Sequence, residues 1–151
     1  MRKFLVVKDE FRKFKEKEIK LPTRGTKHSA GYDFYLPNML VIQPKSTDFI
    51  FLDVKAAMNE DEVLYLHVRS SLGVKKGIVL ANTTGVIDSD YFENPDNDGN
   101  IGIALTNTTD KPILLEEGER VVQGVFHKFL VTDDDITISE RKGGFGSTSH
   151  E

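Results

Sequence analysis

Cysteine is absent from the 151 residues, which rules out disulfides and thiolate metal sites and suits a reducing, cytoplasmic setting. Long apolar runs are absent too. None approaches the roughly 18 residues that span a bilayer, and the run at 4–7 is shorter than the about 7–15 residues of a signal-peptide core. A basic surplus is also missing. The net charge of −4 argues against a general polyanion-binding surface, so any phosphate site must be local, built from a few placed Arg, Lys and backbone N–H groups. His28, His67, His127 and His150 show no paired spacing of the kind that holds a metal. No convincing helix of ten or more residues, no internal repeat and no linker is found.

What is present is a succession of short apolar or alternating segments broken by Gly, Pro, Asn and Asp. Hydrophobic content of 38% and charged content of 29% describe one ordinary folded domain, long enough to bury a core. Strands are expected over 4–7, 26–36, 38–43, 49–54 and 63–68, then 113–115, 120–131 and 136–138. In 26–36, Tyr32, Phe34 and Leu36 fall on one side, Asp33 and Tyr35 on the other. Residues 8–20 fit either a helical turn or a charged edge strand. Many short strands with frequent turns predict an all-β fold, a jelly-roll-like barrel or sandwich over 1–140, followed by a glycine-rich arm at 141–151.

Chemistry concentrates in residues 75–107. The apolar run 78–81 enters Asn82-Thr83-Thr84-Gly85, Val86-Ile87 then delivers Asp88, and alternating Ile101, Ile103 and Leu105 follow an acidic, turn-rich segment. Strand, turn, strand reads as a hairpin. A carboxylate at its end can orient and deprotonate a water; it can equally form a turn, and Asp88 and Asp90 compete for the role. Asn82 carries a donor and an acceptor that suit a nucleobase edge or a turn cap. Tyr91 suits stacking on a sugar or filling the core. Arg69-Ser70-Ser71 offers a guanidinium, hydroxyls and backbone N–H groups to phosphate, or closes a surface turn. Gln123, on an otherwise apolar strand, needs a partner. The tail Gly143-Gly144-Phe145-Gly146-Ser147-Thr148 reads either as a disordered terminus or as a mobile arm whose Phe145 covers a flat ring.

In this order the segments are specific. Residues 30–35, 69–72, 85–91, 118–123 and 143–148 closely resemble the five ordered motifs of the trimeric dUTPases, over about four-fifths of the chain. The resemblance implies hydrolysis of dUTP to dUMP and pyrophosphate by water attack on the α-phosphorus, which keeps uracil out of DNA and supplies dUMP for dTMP synthesis. It implies a jelly-roll homotrimer whose active sites are shared between subunits, with the C-terminal arm exchanged onto a neighbour. By position, Asp88 resembles the family's general base, and Asn82 the uracil reader, helped by the backbone of Gly85, Val86, Ile87 and Gly102. Tyr91 resembles the tyrosine that packs on deoxyribose. Arg69, Ser70, Ser71 and Gln123 resemble phosphate contacts, Phe145 the uracil cover, and Arg141, Gly146, Ser147 and Thr148 contacts to the β- and γ-phosphates. Mg²⁺ is held in the family mainly by the triphosphate and water, which leaves Asp33 as an outer-shell partner. No membrane and no direct nucleic-acid binding is expected.

The chain departs from the family in three places. The turn between Tyr91 and Ile101 is longer and acidic. Arg141 stands four rather than five residues before Phe145, next to Lys142, which could share its role. The second motif has Ser71 where glycine is common and lacks the usual preceding proline. Two rivals follow. The related dCTP deaminases share the arginine-serine-serine motif but place a catalytic glutamate where this chain has Ala104. A non-enzymatic module could instead bind a protein partner through the acidic turn Glu93 to Asp98.

Overall fold

The computed structural model describes residues 1–146. Among these residues twelve strands form, all paired antiparallel. In chain order they are β1 (Lys3–Val6), β2 (Thr23–Arg24), β3 (Tyr32–Tyr35), β4 (Leu40–Ile42), β5 (Thr47–Phe51) and β6 (Val54–Ala57). The rest are β7 (Glu62–Val68), β8 (Ile78–Leu80), β9 (Gly85–Asp88), β10 (Gly102–Asn107), β11 (Ile113–Leu115) and β12 (Arg120–Lys128). Two larger sheets, ordered β2-β3-β12-β7-β9 and β5-β10-β8, are joined by the small pairs β1-β6 and β4-β11. This is the expected all-β, jelly-roll-like class.

Period-two alternation decides which side chains enter the core. Along β10, Ile103, Leu105 and Asn107 are buried while Gly102, Ala104 and Thr106 stay partly exposed. The core collects Phe34, Leu36, Leu64, Leu66, Leu105 and Val121 from both larger sheets. Burying each such side chain stabilises by about 1.5–3 kcal/mol. Asn107 is the buried polar exception, and it is satisfied: its amide donates to the carbonyls of Ile42 (2.9 Å) and Lys111 (2.7 Å).

Several expected boundaries move, each for a local reason. The strand expected over 26–36 begins only at Tyr32, because residues 26–29 close a turn in which the Thr26 N–H donates to Ser29 Oγ (3.0 Å). The strand expected over 49–54 splits into β5 and β6 at Asp53, whose φ of +58° no strand accommodates. The Asp53 carboxylate accepts from the N–H groups of Lys13 (2.9 Å) and Phe14 (2.8 Å), which settles residues 8–20 as a single 3₁₀ turn, Asp9–Phe11, followed by a pinned loop. The strand expected at 136–138 does not form: nothing pairs with it, and Ile136 and Ile138 are 88% and 92% exposed. β12 likewise ends at Lys128, not at residue 131.

The largest correction concerns the expected hairpin. β8 pairs with β10 in one sheet, whereas β9 pairs with β7 in the other. Asn82-Thr83-Thr84 is therefore a corner that carries the chain between sheets, with Thr83 at a φ of +66°. A tight hairpin would bury the space between its strands; a corner opens it. No helix among the described residues is long and apolar enough to cross a membrane.

Candidate active site

The open space at the corner is a cleft of about 460 Å³, within the usual size of a small-ligand site. One wall is β9, at the edge of the five-stranded sheet and paired only to β7, from Leu66↔Gly85 to Val63↔Asp88. An edge strand leaves alternate backbone N–H and C=O groups unpaired on its free side. Gly85, Val86 and Ile87 thus bring both side chains and a free backbone edge to the cleft. Asn82 lines it from the corner, and Gly102 and Ala104 from β10. No carboxylate stands at position 104, where a deaminase would need one.

Gly102 is glycine for a steric reason. A Cβ there would lie 2.2 Å from Cζ of Phe49. Phe49 forms the facing wall, packed edge-on against Phe51 with centroids 4.8 Å apart. Sequence reasoning missed Phe49. It reaches the site only because β5 pairs with β10 in the register Phe49↔Ala104, and that register is not written in either segment alone.

Asp88 ends β9 and lines the cleft half exposed; Asp90 belongs to the following 3₁₀ turn, Ser89–Tyr91, and does not line it. Both carboxylates are bridged by Arg141, which donates from Nη2 to Asp88 Oδ2 and from Nε to Asp90 Oδ1, each at 2.6 Å. These are the short contacts of charge-assisted hydrogen bonds. Arg141 also donates to the Gly143 carbonyl (3.0 Å), which turns the arm over the cleft mouth. Gly144 then lies flat on Tyr91: a Cβ there would come within 2.7 Å of the ring. Phe145 follows with its ring edge-on to Phe49, centroids 5.2 Å apart. The arm residues 141–146 thus rest on the cleft of their own chain. Gly146 is exposed and does not line the cleft, while Ser147 and Thr148 lie outside the described residues.

Tyr91 is buried beside the cleft. Its hydroxyl donates to the Asn100 carbonyl (2.6 Å) and accepts from Asn97 Nδ2 (2.8 Å). Burial pushes the phenol above its ordinary pKa, against a smaller opposing effect of the Asn97 hydrogen bond. The hydroxyl therefore stays protonated and able to donate at neutral pH.

The remaining expected site residues gather elsewhere. Arg69, at the end of β7, and Arg120, at the start of β12, each place a guanidinium nitrogen 3.3 Å from one oxygen of Asp33. Gln123 stands in register with Asp33 on one side and His67 on the other. Ser70 and Ser71 open the short helical turn after β7. None of Arg69, Ser70, Ser71 and Gln123 lines the cleft. Asp33, expected as an outer-shell partner of a metal, has both carboxylate oxygens facing arginine. Among the described residues no group of three His, Asp or Glu side chains could hold a metal ion.

Residues 17–149 match the dUTPase family. The chain is 49% identical over 138 residues to the deoxyuridine 5'-triphosphate nucleotidohydrolase of Lactococcus lactis, covering 90% of this chain and 92% of the relative. The crystal structure of a dUTPase from Streptococcus mutans superposes with a TM-score of 0.74 at 42% identity, over 86% of this chain and 98% of the other. A mutant dUTPase from phage phi11 of S. aureus, in which a structural Mg(II) ion is coordinated, shares the fold with a TM-score of 0.70 at 19% identity, over 92% of this chain and 97% of the other.

Proposed function

The chain belongs to the dUTPase family and hydrolyses dUTP to dUMP and pyrophosphate, and from this premise we propose which residues do the work. The observation that carries the assignment is one cleft. Asp88, Asn82, the free edge of β9 and Tyr91 all line it, and they are the groups that a water, a base and a sugar require.

Uracil lies against the β9 edge, read by the Asn82 amide and by backbone groups of Gly85, Val86, Ile87 and Gly102. Tyr91 packs on deoxyribose. Asp88 takes a proton from the attacking water as its oxygen bonds to the α-phosphorus; the bridging P–O bond breaks and pyrophosphate leaves. A positioned base of this kind contributes about 10²–10⁴ in rate. Asp88 cannot do this while Arg141 caps it. The triphosphate offers Arg141 a richer set of anionic oxygens, and its transfer there frees the base. Phe145 then covers uracil, with Gly146, Ser147 and Thr148 on the outer phosphates.

Arg69, Ser70, Ser71 and Gln123 contact the phosphates of a neighbouring subunit's site in a homotrimer. Their distance from their own chain's cleft supports this reading. Mg²⁺ enters with the triphosphate as part of the substrate, in keeping with the lack of a carboxylate cluster among the described residues. Asp33 is assigned to holding Arg69 in place.

The decisive assay is pyrophosphate release with Mg²⁺ from dUTP, in parallel with dTTP, UTP and dCTP. Release from dUTP alone is expected. Release from UTP at a similar rate would remove Tyr91 from its role, and ammonia from dCTP would favour the deaminase instead.

A further inference from the structure

In the acidic segment after Tyr91, at sequence level a candidate surface for a partner, Glu93, Pro95 and Asp96 stay exposed while Asn94 and Asp98 turn inward. Asn94, Asp98 and Asn100 are only 4%, 2% and 1% exposed. Asn94 closes the turn on itself: its Nδ2 donates to the Tyr91 carbonyl (2.7 Å) and to Asn97 Oδ1 (2.8 Å), and its Oδ1 accepts from the Asp96 N–H (3.0 Å). Asp98 pins the turn from outside, accepting from Lys55 Nζ (2.9 Å) and the Lys8 N–H (2.8 Å). Asn100 ties it to Asp53 through its Nδ2 (2.9 Å).

Two residues of the turn, Asn97 and Asn100, meet at one atom, the Tyr91 hydroxyl. Its single proton goes to the Asn100 carbonyl, and it accepts from Asn97. Holding the ring at Cβ and at its oxygen fixes the direction of its long axis, and Gly144 packed on its face limits rotation about that axis. That rigidity has a use in this reaction. A yielding apolar wall rejects an analogue that merely adds a hydroxyl by only about 10²-fold, and a shift of about 1 Å can forfeit a discrimination of that size.

We propose that the turn from Asn94 to Asn100 is a positioning device for Tyr91, with Asn97 the residue through which it sets the preference for deoxyribose over ribose. This rests on the reading of Tyr91 as the sugar contact. Asn97 touches no substrate in it. It acts through the tyrosine.

The test compares kcat/KM for dUTP and UTP in the full-length enzyme. In Asn97→Asp a carboxylate still accepts from Asn94 Nδ2 and from the Gly99 N–H (3.0 Å) but cannot donate to Tyr91, whose one proton then serves either that carboxylate or the Asn100 carbonyl and no longer both anchors. Tyr91→Phe removes the same anchor from the other side and decides the matter should Asn97→Asp misfold. Both variants are expected to lower the dUTP-to-UTP ratio about tenfold or more, with the fold kept and Tm lowered by a few degrees for the buried groups left unpaired. Tyr91→Ala separates the two levels of the argument. If it collapses the ratio while Asn97→Asp and Tyr91→Phe leave it intact, the ring is held by its packing alone and the proposal falls. If Tyr91→Ala itself leaves the ratio intact, the sugar contact is wrong, and the positioning role goes with it.

Discussion

Arg141 holds two carboxylates at 2.6 Å, and only one of them faces the cleft. Asp88 is therefore both the carboxylate that faces the cleft and a capped one. Asp88→Asn keeps the shape and most of the hydrogen bonding but cannot accept the proton. Its kcat is expected to fall by about 10²-fold or more, while a non-hydrolysable dUTP analogue still binds in a titration; near-normal turnover would end Asp88's candidacy. Local sequence could not choose between Asp88 and Asp90, because both are acids two positions apart in a turn-forming stretch. Backbone direction separates them, as Asp88 is the last residue of an edge strand and Asp90 has already turned away on the 3₁₀ segment. Tyr91 was open between sugar and core for a similar reason: its hydroxyl is buried while its ring stands at the cleft wall.

Strand positions were largely legible because alternation is a property of a single segment. Pairing was not, because it belongs to two. The corner at Asn82-Thr83-Thr84 has the composition of a hairpin loop and a different job, and only the partners of β8 and β9 reveal it. Ile136-Thr137-Ile138 has β-branched residues at the right spacing but finds no partner among the described residues. Phe49 shows the same limit at the site. Its contact with Gly102 makes a prediction at this scale. In Gly102→Ala the new methyl, 2.2 Å from the phenyl ring, must drive Phe49 into the cleft or β10 away from β5. The variant should lose kcat/KM for dUTP about tenfold or more, since misplacements of about 1 Å are felt at that level. A rate unchanged within error, with Tm also unchanged, would mean that Phe49 yields freely and is no fixed wall.

At the scale of the whole molecule, one chain leaves its chemistry divided. Asp88 pairs with Val63 at one end of β7, and Arg69 lies just past the other end. Six residues at about 3.3 Å each put them roughly 20 Å apart along the strand. A triphosphate whose α-phosphorus sits at Asp88 does not reach that far, so an Arg69 that binds phosphate must serve another chain's cleft. Closed cyclic assemblies make such sharing regular, because each site then takes one contribution from each interface. The prediction is complementation. Asp88→Asn and Arg69→Ala should each be nearly inactive as pure preparations. Unfolded together in equal amounts and refolded, they should recover activity, because sites that draw Asp88 from one variant and Arg69 from the other are intact. Random mixing makes about a quarter of all sites intact if the two residues come from different subunits. Pyrophosphate release from the recombined enzyme, with mixed stoichiometry verified by native mass spectrometry, measures this directly. Recovery near that fraction supports the shared site. Mixed assemblies that stay as inactive as their parents would place Asp88 and Arg69 in one chain's site, and the assignment of Arg69 to phosphate would have to be withdrawn.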